Sequence, residues 1–183
     1  GCHTDSEKSR LKKFIEENEL KPVKLLNTHG HFDHIMGNAY VQAQWDVPCY
    51  IHPLDKPHLE RAQTYSELFG YKIEQPSVDT IDLEDGQKIE FGDSYLFVLY
   101  TPGHTRGGVS FYNDLQKFVI TGDALFAGSI GRTDLPGGDY DVLMESLLGK
   151  IVKLGGDYDV YPGHGPATTI VKELQTNPFL RYE

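Results

Sequence analysis

The chain has 183 residues, 39% hydrophobic and 24% charged, with a formal net charge of −10 and two cysteines. That length supports one well-filled core and a single domain over residues 1–183, with the apolar share of a globular protein. The negative charge argues against nucleic acid as a partner, and no apolar run approaches the roughly 20 residues needed to cross a bilayer, so no membrane partner is expected. Cys2 and Cys49 form no C-x-x-C pair, and reduced thiols in a cytoplasmic setting are expected.

In chain order, Leu11, Phe14, Ile15 and Leu20 recur at helical spacing between Ser6 and Leu20, which predicts a surface helix. "PVKLLNT", residues 22–28, reads as a buried strand. Ile35 to Trp45 reads as a helix, "VPCYI" as a second strand with Cys49 in the core, and residues 53–69 as a helix begun by Pro53. After Pro76 the pattern changes to short strands separated by turn pairs: "KIEF", "YLFVLYT", "GVSFY" and "KFVIT". A helix over Tyr140 to Leu154 capped by Asp139, the strand "YDVY" and a last helix from about Thr168 follow. This order predicts sheets packed on each other with helices outside. Met36, Met144 and Trp45 are read as core residues, His52 as a structural histidine and His58 as a solvated one on a polar helix.

The stretch "NTHGHFDH", Asn27 to His34, concentrates three of the eight histidines in six residues. Three more metal-capable residues follow apolar strands through a glycine: "YLFVLYTPGH" ends in His104, "KFVITGD" in Asp123 and "YDVYPGH" in His164. Loops at strand ends are where a rigid scaffold presents functional side chains. His29 and His31, two apart in an extended segment, point to one side and can grip one ion, while Asp33 and His34 begin the next helix and can face a second. Imidazole and carboxylate together suit zinc, iron or manganese. Three histidines on one ion, two histidines and an aspartate on the other, and a bridging Asp123 account for all seven. Two ions held about 3.5–4 Å apart lower the pKa of a shared water toward roughly 7, which makes hydroxide the nucleophile. Ser110 and Ser129 lack the G-x-S-x-G setting of a nucleophilic serine.

The series "THGHFDH", "TPGHT", "TGD" and "PGHG" resembles the motifs of the metallo-β-lactamase superfamily. "GDALFAGSIGRTDLPGGD" and "NPFL" are most similar to its small glyoxalase II-like, or hydroxyacylglutathione hydrolase-like, group. The resemblance implies an αββα four-layer sandwich of two mixed sheets flanked by helices, with a binuclear site at one edge, and opening strands that precede residue 1. It implies His29, His31 and His104 as ligands of a first metal, Asp33, His34 and His164 as ligands of a second, and Asp123 as the bridge. Asp33 and Asp123 are then the catalytic carboxylates. Two divalent ions are implied, zinc first, with iron or manganese as alternatives. The cysteine ligand of many true metallo-β-lactamases is not matched, because Asp123 stands at the bridging position.

The activity implied is hydrolysis of a small-molecule thioester such as S-D-lactoylglutathione by a metal-bound hydroxide. Arg132 lies where that group has a lysine holding the glutathione tail, and is either a substrate-carboxylate contact or a loop brace paired with Asp134 or Asp139. "PGHGPAT" lacks the tyrosine-bearing continuation of long glyoxalase II enzymes, and nineteen residues after His164 are too few for their helical carboxy-terminal domain. The resemblance therefore supports a thioester more strongly than its glutathione part. The alternatives are a mononuclear-iron persulfide dioxygenase using His29, His104 and Asp123, a hydrolase of another ester or a lactone, and a metal-stabilised scaffold without turnover.

Overall fold

The computed structural model describes residues 2–181, which divide between Asp82 and Leu83 into two units. The first unit opens with α1 (Asp5–Glu17), where the Thr4 hydroxyl accepts from the Glu7 N–H and the Glu7 carboxylate accepts from the Thr4 N–H. This reciprocal cap satisfies two helix-end donors and holds the Glu7 carboxyl down at about 2. The helix ends at Asn18, whose amide returns to the Phe14 carbonyl, and it contributes no buried residue, as a surface helix should.

β1 (Leu25–Leu26), β2 (Cys49–Ile51) and β3 (Ile81–Asp82) form a parallel sheet in that order. Parallel neighbours need long crossovers, and helices supply them. The helix expected over Ile35–Trp45 is two: α2 (Phe32–Ile35) and α3 (Asn38–Trp45). Asn38 opens α3 and is buried in a reciprocal carboxamide pair with Asn27, at 2.8 and 3.3 Å, which ties the end of β1 to this new start. Trp45 is half-buried and edge-on to Tyr40 at 5.8 Å, rather than in the core.

The helix expected over residues 53–69 also breaks, into a 3-10 turn Pro53–Asp55, α4 (Lys56–Glu60) and α5 (Ala62–Leu68). Pro57 has no N–H to give to a preceding turn, so the helix must restart there. His52 accepts from the Leu54 N–H and caps the first piece, the structural role expected of it. Ile35, Met36, Ile51, Leu59, Ala62 and Ile73 form the apolar core of this unit.

Cys49 is buried beside these residues and donates to the Asn27 carboxamide oxygen, and burial pushes its thiol up to about 12. Neither Cys2 nor Cys49 is in a disulfide. A thiol that stays protonated is a poor nucleophile. At pH 8 the native protein is therefore expected to release one equivalent from an aromatic disulfide reagent, from Cys2, and two after unfolding. Two equivalents released at one rate from the native protein would contradict the burial of Cys49.

The second unit is built on β4 (Lys88–Phe91), β5 (Ser94–Tyr100), β6 (Val109–Asn113) and β7 (Phe118–Gly122), an antiparallel meander close to the predicted strands. β8 (Leu125–Phe126) and β9 (Ser129–Ile130) form a small hairpin. The helix expected over Tyr140–Leu154 starts as α6 (Tyr140–Ser146), capped by Asp139, and continues as a π turn (Leu147–Ile151) and a 3-10 turn (Val152–Leu154). Leu143, Leu147 and Ile151 recur every fourth residue and are fully buried, so one face stays on the core through these changes of pitch. Met144 packs against this cluster half-buried.

β10 (Asp159–Pro162) then returns parallel to β7, β11 (Thr168–Thr169) pairs antiparallel with β10, and α7 (Ile170–Thr176) follows. The sheet order is β11-β10-β7-β6-β5-β4. Among the described residues, no helix is long and apolar enough to cross a membrane.

Candidate metal centre

In the first unit the chain leaves β1 extended and enters α2 with His31 as its N-cap residue. Gly30, between the two histidines, has no room for a side chain: a Cβ would stand 2.7 Å from the Cβ of His58 and 2.9 Å from the Asp55 carbonyl oxygen. Its N–H donates to the carboxylate of Asp55 at 2.8 Å, and Asp55 is fully buried. The turn that begins at Pro53 therefore clamps the histidine segment from behind. His29 faces His31 at 4.9 Å between ring centroids and His34 at 4.1 Å, and His34 Nε2 lies 3.4 Å from Asp33 Oδ2. All four candidate ligands of this unit are thus gathered. His58, expected to be solvated, is half-buried and stands edge-on to His31 at 5.5 Å, because the clamp carries it onto the loop.

In the second unit three strand ends meet. Asp123 follows β7, and its Oδ2 lies 3.6 Å from His104 Nε2, beyond β5, and 3.5 Å from His164 Nε2, beyond β10. His104 Nδ1 is 2.8 Å from the Arg132 carbonyl oxygen. A carbonyl only accepts, so Nδ1 carries the proton and the Nε2 lone pair points toward Asp123. This is how metal-binding histidines are commonly oriented. The β8–β9 hairpin returns the chain so that Arg132 can play this part.

Gly131 makes that return possible, because a Cβ there would overlap the Asp123 carbonyl and press on the Cβ of His104 at 3.2 Å. Replacing Gly131 by alanine must displace a ligand-bearing loop, and is expected to destabilise the protein by about 2–3 kcal/mol in urea unfolding. An unchanged midpoint would show that the loop does not hold this close packing.

Arg132 itself is exposed and forms a two-pronged ion pair with Asp134, at 2.8 and 2.7 Å. These hydrogen bonds hold the Asp134 carboxyl down at about 2. The loop-bracing half of the sequence reading is thus visible, with Asp134 as the partner, while Asp139 accepts from the Val142 N–H instead. Sequence reasoning missed Glu173. It is fully buried on α7 and accepts from the Gly128 N–H, the Thr168 hydroxyl and the Asn177 amide, while Asn177 also donates to the Ser129 carbonyl. This network anchors the hairpin that carries Gly131 and Arg132. Asp55 was missed likewise.

The donor spacings test whether these residues suit a metal. Two donors about 2.0–2.1 Å from one tetrahedral ion stand roughly 3.3 Å apart. A direct charge-assisted hydrogen bond would instead draw nitrogen and oxygen to about 2.7–2.9 Å. The observed 3.4, 3.5 and 3.6 Å match donors that share an ion. Imidazole with carboxylate is also a donor set that suits divalent zinc, iron or manganese.

The model of the metallo-β-lactamase superfamily matches residues 1–164. The chain is 39% identical over 173 residues to the probable metallo-hydrolase YqgX of Bacillus subtilis, a match that covers 93% of this chain and 82% of that protein. It is 36% identical over 176 residues to the hydroxyacylglutathione hydrolase GloC of Haemophilus influenzae, covering 95% and 83%. The crystal structure of TTHA1623 in a di-iron-bound form matches with a TM-score of 0.88 and 40% identity, over 97% of this chain and 86% of that one. The chain therefore belongs to the metallo-β-lactamase superfamily, has its fold, and is a metallo-hydrolase of a family that binds divalent metal ions.

Proposed function

We propose that the chain is a binuclear thioester hydrolase of the glyoxalase II-like group. The observation that carries this reading is the placement of a single carboxylate oxygen, Asp123 Oδ2, within 3.6 Å of both His104 Nε2 and His164 Nε2. An oxygen so placed is suited to bridge two ions. His29, His31 and His104 would hold one ion and Asp33, His34 and His164 the other, with Asp123 available to both. The metals are zinc first, with iron or manganese as alternatives, and the di-iron form of TTHA1623 supports iron as a candidate. When bound, such a pair supplies a water acidified from 15.7 toward about 7 and polarises the thioester carbonyl.

The protein's own groups do the rest. Asp33 and Asp123 offset the cationic charge and orient the water, and the Arg132 carbonyl keeps His104 in the required tautomer. Arg132 is placed to exchange Asp134 for a carboxylate on the substrate's thiol portion, and the name of the GloC relative supports a glutathione-linked one. Two unbridged cysteines support a reducing, cytoplasmic setting.

The test is elemental analysis of the purified protein together with a panel of thioesters, oxygen esters, lactones and a β-lactam. Two ions per chain and a preference for thioesters are expected. One iron per chain with oxygen uptake on glutathione persulfide would overturn the reading in favour of a dioxygenase.

A further inference from the structure

The first unit carries a cluster of aromatic side chains on its surface that the roles above leave unused. Leu68 is 76% exposed, Phe69 56%, Tyr71 40% and Tyr65 36%. These residues lie on α5 and the turn that follows it. Their rings are organised around Phe32: Phe69 stacks on it at 5.1 Å and 20°, Tyr71 lies at 5.6 Å and Tyr65 at 6.3 Å, and Tyr65 meets Phe69 at 5.4 Å. Exposed apolar surface of this kind is a binding feature more often than an accident.

Phe32 stands in sequence between His31 and Asp33, two of the candidate ligands. We infer that Phe32, Tyr65, Phe69 and Tyr71, with Leu68, form the subsite for the acyl group of the substrate, and that this group is apolar: aryl or medium-length alkyl. The inference rests on the thioesterase reading and names its substrate class. Phe32 joins the two ligand-bearing residues along the chain, so an acyl substituent extending from a carbonyl held by this loop has the Phe32 ring and those stacked on it as the adjoining apolar surface. The rings are held by one another, so a substrate finds the surface already assembled, which lowers the ordering cost of binding.

Five side chains are too few for a stable protein interface, which uses roughly 20–30 residues a side. The exposed charged residues on the same helices and turn are Glu60, Glu67 and Glu74 against Arg61 and Lys72. With acids in excess, nothing draws an anionic thiol tail to this side, and the neutral acyl half is the part that fits.

Two measurements test the subsite. The first is the ratio of kcat/KM for octanoyl over acetyl thioesters of the same thiol, in the wild type, in Phe69→Ala and Tyr65→Ala, and in the control Leu115→Ala, a site 76% exposed in the other unit. The wild type is expected to favour octanoyl by about tenfold or more, and each aromatic variant to lose most of that preference, while the control keeps it. The second is calorimetric binding of 4-phenylbutyrate to the metal-loaded protein, expected to weaken about tenfold in Phe69→Ala. An unchanged ratio and unchanged 4-phenylbutyrate binding in both aromatic variants would overturn the subsite. Failure to hydrolyse any thioester would overturn the thioesterase reading instead, and the binding measurement would then judge the aromatic surface alone.

Discussion

Replacing Asp123 by alanine is expected to lower hydrolysis by at least about three orders of magnitude, because the carboxylate placed near both His104 and His164 is lost with its charge. The loss should fall on kcat rather than KM, since the proposed aromatic and Arg132 contacts to substrate do not involve Asp123. Metal content should fall in parallel, toward one ion per chain or none. Asp123 is 9% exposed and its backbone is held independently by the Ala124 N–H to Thr121 carbonyl turn, so the variant should still fold. Near-native turnover in this variant would remove the bridging role.

Replacing Asp55 by alanine is the second large effect. Asp55 accepts from the Gly30 N–H at 2.8 Å, between the candidate ligands His29 and His31. Its loss leaves a buried donor without its charged acceptor, at a cost of about 1–3 kcal/mol. The histidine segment is then free to shift, and metal affinity is expected to drop about 10–100-fold, as for other groups that orient ligands from behind. Asp55→Asn keeps an acceptor oxygen of the same shape and should recover part of the metal affinity. Equal damage from both variants to stability, with metal affinity unchanged in each, would make Asp55 a purely structural residue.

What the sequence made legible follows the range of the interactions. The seven residues proposed as ligands each carry a local mark, either within one eight-residue stretch or as the residue after a strand and a glycine. The strands "KIEF" and "KFVIT" were legible for a similar reason, since alternation over four or five residues is itself a local signal. Asp55 and Glu173 left no such mark: their partners Gly30 and Gly128 lie 25 and 45 residues away. Nothing in "HPLD" or "VKEL" distinguishes a buried carboxylate from a solvated one. The same holds for His58, which looks solvated on a polar helix until the fold lays it against His31.

Helix boundaries failed for a different reason. The apolar spacing runs unbroken from Pro53 to Phe69, yet Pro57 removes a backbone donor, and the chain restarts its helix there. Strands of two residues, such as Leu125–Phe126 and Ser129–Ile130, are too short to show any period. That hairpin brings the Arg132 carbonyl to His104, so part of the candidate site was invisible along with it.

The most direct measurement of the central claim is anomalous diffraction from crystals of the protein grown with zinc, recorded on both sides of the zinc absorption edge. The account predicts two anomalous peaks about 3.5–4 Å apart, one against His29, His31 and His104, the other against Asp33, His34 and His164, with Asp123 reaching both. A single peak, or two peaks remote from Asp123, would contradict it.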